Sequence, residues 1–179
     1  MSTSSQEGVA YQIEETPAGA WRRFRYPTGE VFAEYTSRRR LFGLPVYHRT
    51  RGRSPETGKP VTACGVIAIG QCARGILAIG QAARGIVAIG QTAFGVVAVG
   101  QVAGGLLLGI DQLATGAVAV GQIAVGVLLG LGQWTTGYAS IGQTANGWYA
   151  LGQEGHGQYM WDMSVAAPEA EAFFRSLLP

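Results

Sequence analysis

The chain has 179 residues, of which 28 are glycine and only 13% are charged, and its formal net charge is +2. This length suits one domain with its own hydrophobic core. The composition excludes a charged, disordered chain and differs from that of an ordinary globular domain, so it indicates a repetitive architecture.

Basic residues are concentrated near the N-terminus, and no Lys or Arg occurs between Arg84 and Arg175. A protein that binds a nucleic-acid backbone needs a basic stripe along the surface that contacts it. The sequence therefore predicts no nucleic-acid partner.

Residues 1–18 are predicted to form a flexible N-terminus. The opening MSTSSQEGVAYQIEE has neither the basic segment nor the apolar segment of a cleaved export signal. We therefore expect a cytoplasmic protein in which Cys64 and Cys72 are buried, reduced thiols.

Residues 19–62 contain three stretches with strand-like composition, WRRFRY, EVFAEYT and LPVYHRT. Turn-forming sequences at 27–29 and 54–60 interrupt them. We predict a β-hairpin-rich N-terminal cap over this range.

Residues 63–156 contain a ten-residue repeat with the pattern G-h-h-A-h-G-Q-x-A-x, in which h is apolar. Nine units are present, and two of them, 105–115 and 126–136, have eleven residues. Each unit keeps one glutamine, and we expect these side chains to form a structural ladder: Gln71, Gln81, Gln91, Gln101, Gln112, Gln122, Gln133, Gln143 and Gln153.

The ten-residue period favours strands over a helix. Ten residues of an α-helix turn through about 1000°, so each glutamine would be displaced by about 80° from the one before. In stacked coils, equivalent residues lie above one another at about 4.8 Å. The sequence predicts an all-β fold: a parallel β-solenoid, or β-helix, of nine ten-residue repeats. Because the eleven-residue units alternate with ten-residue ones, we expect about two repeats per coil. The pattern leaves open which apolar face points inward.

Residues 157–179 are predicted to form a C-terminal cap. Aromatic residues accumulate around its start, and Pro168 followed by Glu169 is typical of a helix N-terminus. We predict a short amphipathic helix over about 168–178.

The stretch SRRRLFGLPVYHRTRGRSPETGKPVTACGVIAIGQCARG, residues 37–75, precedes the GIxAIGQ repeats. It resembles a group of uncharacterised bacterial proteins with a basic LFGLP…PETG lead-in and glycine-rich decapeptide repeats. The likeness covers about two thirds of the chain. The resemblance implies no particular activity.

Side chains able to carry out chemistry are few. The two histidines, His48 and His156, and two cysteines do not make up a four-ligand zinc set. Cys72 and His48 are the one pair that could act as nucleophile and base, and nothing in their spacing brings them together. Asp111, which takes the place of a repeat glycine, is interpreted as a turn residue. We predict no enzyme, no catalytic, cofactor-binding or metal-binding residues, and no small-molecule substrate.

The composition favours a structural protein that assembles into a homo-oligomer through apolar faces or coil ends. The alternative is a membrane-associated or membrane-spanning glycine-rich protein, with a membrane surface as its partner. Residues 85–110 and 112–153 carry no charge, and each exceeds the span length of about 20 residues. The glutamine in every unit argues against a spanning segment.

Overall fold

The computed structural model describes residues 9–177, so residues 1–8 of the predicted flexible N-terminus lie outside the described part of the chain. Contacts between residues divide the chain into two compact units, Met1–Gln81 and Ala82–Pro179. Between residues 9 and 177 the elements are, in chain order, β1 (Gln12–Glu15), β2 (Gly19–Arg25), β3 (Val31–Ser37), β4 (Arg40–Leu41), β5 (Leu44–Pro45), β6 (Tyr47–Arg51), β7 (Thr62–Trp161) and α1 (Pro168–Leu177).

The first unit contains an antiparallel sheet in which β1, β2, β3 and β6 are neighbours in that order. Strands β2, β3 and β6 overlap the three stretches that the sequence singled out, and the third stretch also includes β5. Gly29 has a φ of 87° and closes the turn between β2 and β3, where its amide donates to the carbonyl of Tyr26 at 2.9 Å. The predicted turn at 27–29 thus forms because glycine accepts this backbone conformation at no steric cost.

Strand β6 pairs in parallel with the beginning of β7, with Tyr47 opposite Ile67 and Arg49 opposite Ile69. The lead-in therefore covers the edge of the first repeat, where backbone groups would otherwise lack partners. Two side chains of β6, His48 and Thr50, are buried there.

Strand β7 contains the repeats, and their glycines lie against the backbone of the repeat before. In the first unit, a Cβ placed on Gly80 would overlap the carbonyl oxygen of Gly70. In the second unit, Gly100 and Gly90 have the same relation. Glycine at these positions avoids an overlap between a side chain and the backbone of the preceding repeat, and Asp111 is an exception that takes the place of a glycine.

The interior of the repeat region consists of alanine at every fifth residue. Alanines at positions four and nine of the repeat are 0–3% exposed from Ala63 through Ala103. Later in the chain Thr135 and Ser140 take two of these positions and are also fully buried. The face that points inward is thus the alanine face, and the larger apolar residues at positions two, three and five are turned outward.

The prediction of a parallel β-solenoid is wrong. The structure is all-β apart from one short helix in residues 9–177, as expected, but its strands form a mixed five-stranded sheet, β1-β2-β3-β6-β7, and a two-stranded sheet, β4-β5. The repeat period carries no information on how the non-repeating N-terminal strands pair.

The prediction of two repeats per coil is also wrong. Most repeat glycines from Gly75 to Gly157 lie against the residue one repeat earlier, usually ten residues away, and eleven away for Gly116, Gly132 and Gly137. The extra residue of the two eleven-residue units therefore belongs to a local bend in each of them, and it does not indicate a coil of twenty residues. The array also continues beyond His156, because Gly157 lies against Gly147 in the same manner.

The C-terminal helix α1 ends at Leu177, and Leu178 lies outside the described residues. Glu169 and Glu171 lie in its first turn and Arg175 in its last, which suits the helix dipole. Asp162 shapes the turn before it: one carboxylate oxygen accepts from the amides of Ser164 at 2.7 Å and Val165 at 2.8 Å. These hydrogen bonds hold the pKa of Asp162 at about 2.

Replacing a repeat glycine by alanine is expected to destabilise the protein strongly wherever the new methyl group meets backbone. Gly100→Ala should lower the free energy of unfolding by about 3 kcal/mol or more, because the Gly90 carbonyl cannot move aside without separating two repeats. Urea unfolding followed by circular dichroism measures this.

Gly104→Ala is the matched control. There the nearest atoms belong to the side chain of Phe94, which is 46% exposed and can rotate away. If Gly100→Ala and Gly104→Ala lost the same free energy of unfolding, the close approach of the two backbones would not be the cause of the loss in Gly100→Ala.

Candidate functional site

The glutamines of the predicted ladder lie on the outer surface. Eight of them are exposed, and Gln71 is half-buried. Their backbones lie next to one another in successive repeats: a Cβ on Gly80 would be 3.2 Å from the carbonyl oxygen of Gln71, and one on Gly152 would be 3.2 Å from that of Gln143. This spacing is compatible with side-chain stacking, and the ladder itself stays a prediction.

Large apolar side chains share that outer surface, an arrangement that the sequence left open. In the second unit, exposed residues recur at position two of the repeat: Ile86, Leu106, Val127, Tyr138 and Trp148. Others recur at position eight: Val102, Leu113, Ile123 and Trp134. Exposed apolar side chains that recur in this way are the candidate interaction surface of this chain.

The most exposed of these side chains lie where the eleven-residue units bend. A Cβ on Gly105 would overlap the carbonyl of Leu108, so the chain doubles back within four residues instead of extending by about 10 Å. The two residues at the outside of the bend, Leu106 and Leu107, are 71% and 58% exposed.

The second eleven-residue unit repeats this bend. A Cβ on Gly126 would overlap the carbonyl of Leu129, and the residues between them, Val127 and Leu128, are 73% and 59% exposed. We call Leu106, Leu107, Val127 and Leu128 the bend residues. The extra residue of each eleven-residue unit thus displays an apolar pair to the outside.

Helix α1 covers part of the outer apolar surface near the end of the repeats. Ala139, Ala170 and Phe174 form a buried cluster there. The ring of Phe173 stacks on that of Tyr149 with the centroids 4.1 Å apart and the planes 10° apart. Apolar side chains at position three of the repeat are therefore suited to packing against an apolar helix face.

Asp111 is the only charged residue between Arg84 and Glu154, and it is buried. Its Oδ1 accepts a hydrogen bond from the amide of Gln112 at 2.6 Å, while Oδ2 has no partner among the described residues. Burial raises the pKa of its carboxyl above the ordinary value. The outer surface of this stretch therefore carries little charge, because its one carboxyl group is turned inward.

The sheet of the first unit contains a polar cluster that joins three strands. The Nε2 of His48 lies 3.1 Å from Oε1 of Glu34, whose other oxygen accepts from Nε of Arg22 at 2.9 Å. The Nδ1 of His48 lies 2.8 Å from the amide nitrogen of Cys64 and 3.1 Å from its carbonyl oxygen. The hydrogen bond from His48 and the positive charge of Arg22 lower the pKa of Glu34.

This cluster accounts for His48 without catalysis, because both ring nitrogens are engaged in holding β6 to β3 and to β7. The contact is made with the backbone of Cys64 and not with the thiol of Cys72, the residue that the sequence offered as its partner. Both cysteines are free and half-buried. Within residues 9–177 no group of three or more His, Cys, Asp or Glu side chains is placed to hold a metal ion.

Among the described residues, no helix has both the length and the apolar character needed to cross a membrane. No protein-family model, curated protein or solved structure gives a significant match to this chain.

The ionised carboxylate of Glu34 is expected to stabilise the fold, and Glu34→Gln should lower the free energy of unfolding by about 1–3 kcal/mol at neutral pH. Because the folded-state pKa of Glu34 lies below its ordinary value of 4.5, this contribution is complete above that pH. It is lost as the pH falls from there through the lowered pKa. Urea titrations over a pH series should therefore show the wild type and the variant converging in acid.

Glu14→Gln is the matched control, because Glu14 pairs with the neighbouring arginine, Arg23, across two exposed side chains. Exposed pairs contribute little, so this variant should differ from the wild type by less than about 1 kcal/mol. A stability difference between wild type and Glu34→Gln that does not change with pH would contradict the role given to the carboxylate.

Proposed function

We propose that this protein is a non-catalytic structural protein that assembles with copies of itself through the outer apolar surface of its repeat region. The observation that supports the proposal best is the exposure of the four bend residues, at 58–73%. Exposed apolar side chains of this size lose contact with water when two surfaces meet, which stabilises association by about 25 cal/mol per Å² buried.

A second copy is the partner that this surface suits best. Apart from the buried Asp111, the stretch between Arg84 and Glu154 carries no charge, so it offers nothing to attract a charged partner. Another copy presents the same uncharged apolar surface, and two equal patches can satisfy each other in a two-fold symmetric dimer. The packing of α1 on position three of the repeat is an intramolecular example of the same kind of contact.

We further propose a cytoplasmic location, with the surface of a membrane as the alternative partner. The two cysteines are free, as is typical of proteins in reducing compartments. No enzymatic activity is part of the proposal, since His48 has a structural explanation and the outer surface of the repeats carries few groups able to transfer protons.

The purified full-length protein is expected to have the mass of a dimer or larger assembly by light scattering. Replacing the bend residues together, as Leu106→Thr, Leu107→Thr, Val127→Thr and Leu128→Thr, should shift the mass toward that of a single chain. Threonine keeps the strand preference and the approximate shape of valine while adding a hydroxyl group that disfavours burial.

The control carries Met163→Thr and Val165→Thr, which change exposed apolar residues outside the repeats. This variant should keep the wild-type mass. A wild-type protein that is a monomer at every concentration, or a bend variant that keeps the full assembly mass while folded, would overturn the proposal.

A further inference from the structure

A second exposed apolar feature lies in the first unit, on the short hairpin formed by β4 and β5. Leu41 pairs with Leu44, so the loop between them consists of only two residues, Phe42 and Gly43. Leu41, Phe42 and Leu44 are 46%, 83% and 39% exposed. We call residues 41–44 the hairpin tip.

Phe42 is an unusual residue for this loop. Its φ is 52° and that of Gly43 is 76°, the two positive values of a type I′ turn. Asn-Gly is the sequence that favours such a turn, because asparagine accepts a positive φ far better than a bulky aromatic residue does. Phe42 is the one residue other than glycine with a positive φ among those the structure describes. The fold thus holds the backbone of Phe42 in an unfavourable conformation while its side chain is largely exposed, and backbone strain of this kind is typical of functional positions.

The hairpin is held firmly at its base. The hydroxyl of Ser37, at the end of β3, donates to the carbonyl of Arg39 at 3.0 Å and accepts from the amide of Tyr47 at 3.0 Å. The amide of Val46 donates to the carbonyl of Arg39 at 2.9 Å. The tip therefore projects from a fixed support.

Three exposed arginines adjoin the tip, at positions 38, 39 and 40. Arg38 forms an exposed ion pair with Glu15, and Nε of Arg40 donates to the carbonyl of Gly43 at 3.2 Å. Arg39 has no carboxylate partner among the described residues. The surface of an anionic bilayer has an outer layer of phosphate groups and hydrocarbon beneath it. The aromatic tip suits the hydrocarbon, and the arginines next to it suit the phosphate groups.

We propose that the hairpin tip docks onto the surface of an anionic lipid bilayer, with Phe42 entering the interfacial layer and the adjoining arginines contacting lipid phosphates. This contact uses a different surface from the self-association proposed above, so either proposal can fail without the other. A protein groove that accepts Phe42 would explain the exposed ring equally well. The basic residues favour the lipid, because a groove for an aromatic side chain does not require phosphate-binding groups.

The test is cosedimentation of the full-length protein with vesicles of equal parts phosphatidylglycerol and phosphatidylcholine. The wild type is expected to sediment with these vesicles at low ionic strength, and much less with vesicles of phosphatidylcholine alone. Added salt should weaken the binding, since it screens the arginine charges.

Phe42→Asn is the informative variant, because it should keep or raise the stability of the fold and at the same time weaken binding to vesicles. The resulting Asn-Gly loop suits the type I′ turn, so the midpoint of thermal unfolding should stay equal or rise. Binding to the anionic vesicles should weaken by about tenfold or more, since the buried aromatic surface is lost. If Phe42 had only a structural role, its replacement would not weaken binding in a variant that is as stable as the wild type or more stable.

Two further variants separate the contributions. Arg39→Gln should weaken binding to anionic vesicles and leave the weak binding to phosphatidylcholine unchanged. Met163→Gln removes an apolar side chain of similar exposure, 86%, from elsewhere in the chain and should bind like the wild type.

The proposal is overturned if the wild type fails to bind anionic vesicles, or if folded Phe42→Asn binds them as well as the wild type does. Loss of binding in the variant with all four bend residues replaced, with an intact hairpin tip, would also overturn it. That outcome would assign lipid binding to the repeats.

Discussion

The close approach of glycine to the backbone of the preceding repeat is the constraint on which the structure of β7 depends. At most of positions one and six, a carbonyl of the preceding repeat lies where a Cβ would be, as Gly100 and Gly90 illustrate. Backbones that come this close leave a narrow interior. The inward positions hold alanine in most units and glycine, serine or threonine in the rest.

A narrow alanine interior has a consequence for the surface. The sequence contains many valine, leucine and isoleucine residues, and the inward positions admit none of them. They lie outside, where the two bends raise Leu106 and Val127 to more than 70% exposure. The same geometry that makes the repeat compact therefore produces an apolar exterior, which is the reverse of the usual arrangement of a globular domain. The apolar exterior thus follows from the steric constraint on glycine.

The sequence predicted the strand character of the repeats correctly, because a ten-residue period does not suit a helix. It did not predict which residues become neighbours, because two repeats per coil would place equivalent residues about twenty positions apart, whereas the glycines that meet are ten or eleven apart. It did not show that alanine points inward, since positions two, three and five are more hydrophobic and hydrophobicity alone would place them inside. The unusual turn at Phe42 was also missed: its signal is the dipeptide Phe-Gly between two leucines, which resembles an Asn-Gly hairpin in spacing but not in residue type. The role of Asp162 was also missed, although its hydrogen bonds with the amides of Ser164 and Val165 are local ones. Gly157 follows Gly147 by ten residues, as the repeat period requires. The prediction ended the array at His156 because the residues after Gly157 do not follow the repeat pattern.

The sequence left two routes to self-association, through apolar faces or through ends, and the hydrogen bonds at the limits of the repeat region favour the faces. At its start, the edge is paired with β6, and the buried His48 and Thr50 take polar partners there, Glu34 and the carbonyl of Val61. At its end, Trp161 pairs with Ala166, and the carbonyl of Met160 accepts from the amide of Ala167 at 2.8 Å. An incoming copy would have to displace these bonds to pair with either edge, and doing so gains little because one set of backbone hydrogen bonds replaces another. Contact through the outer apolar surface displaces only water, so association through the faces has the larger driving force.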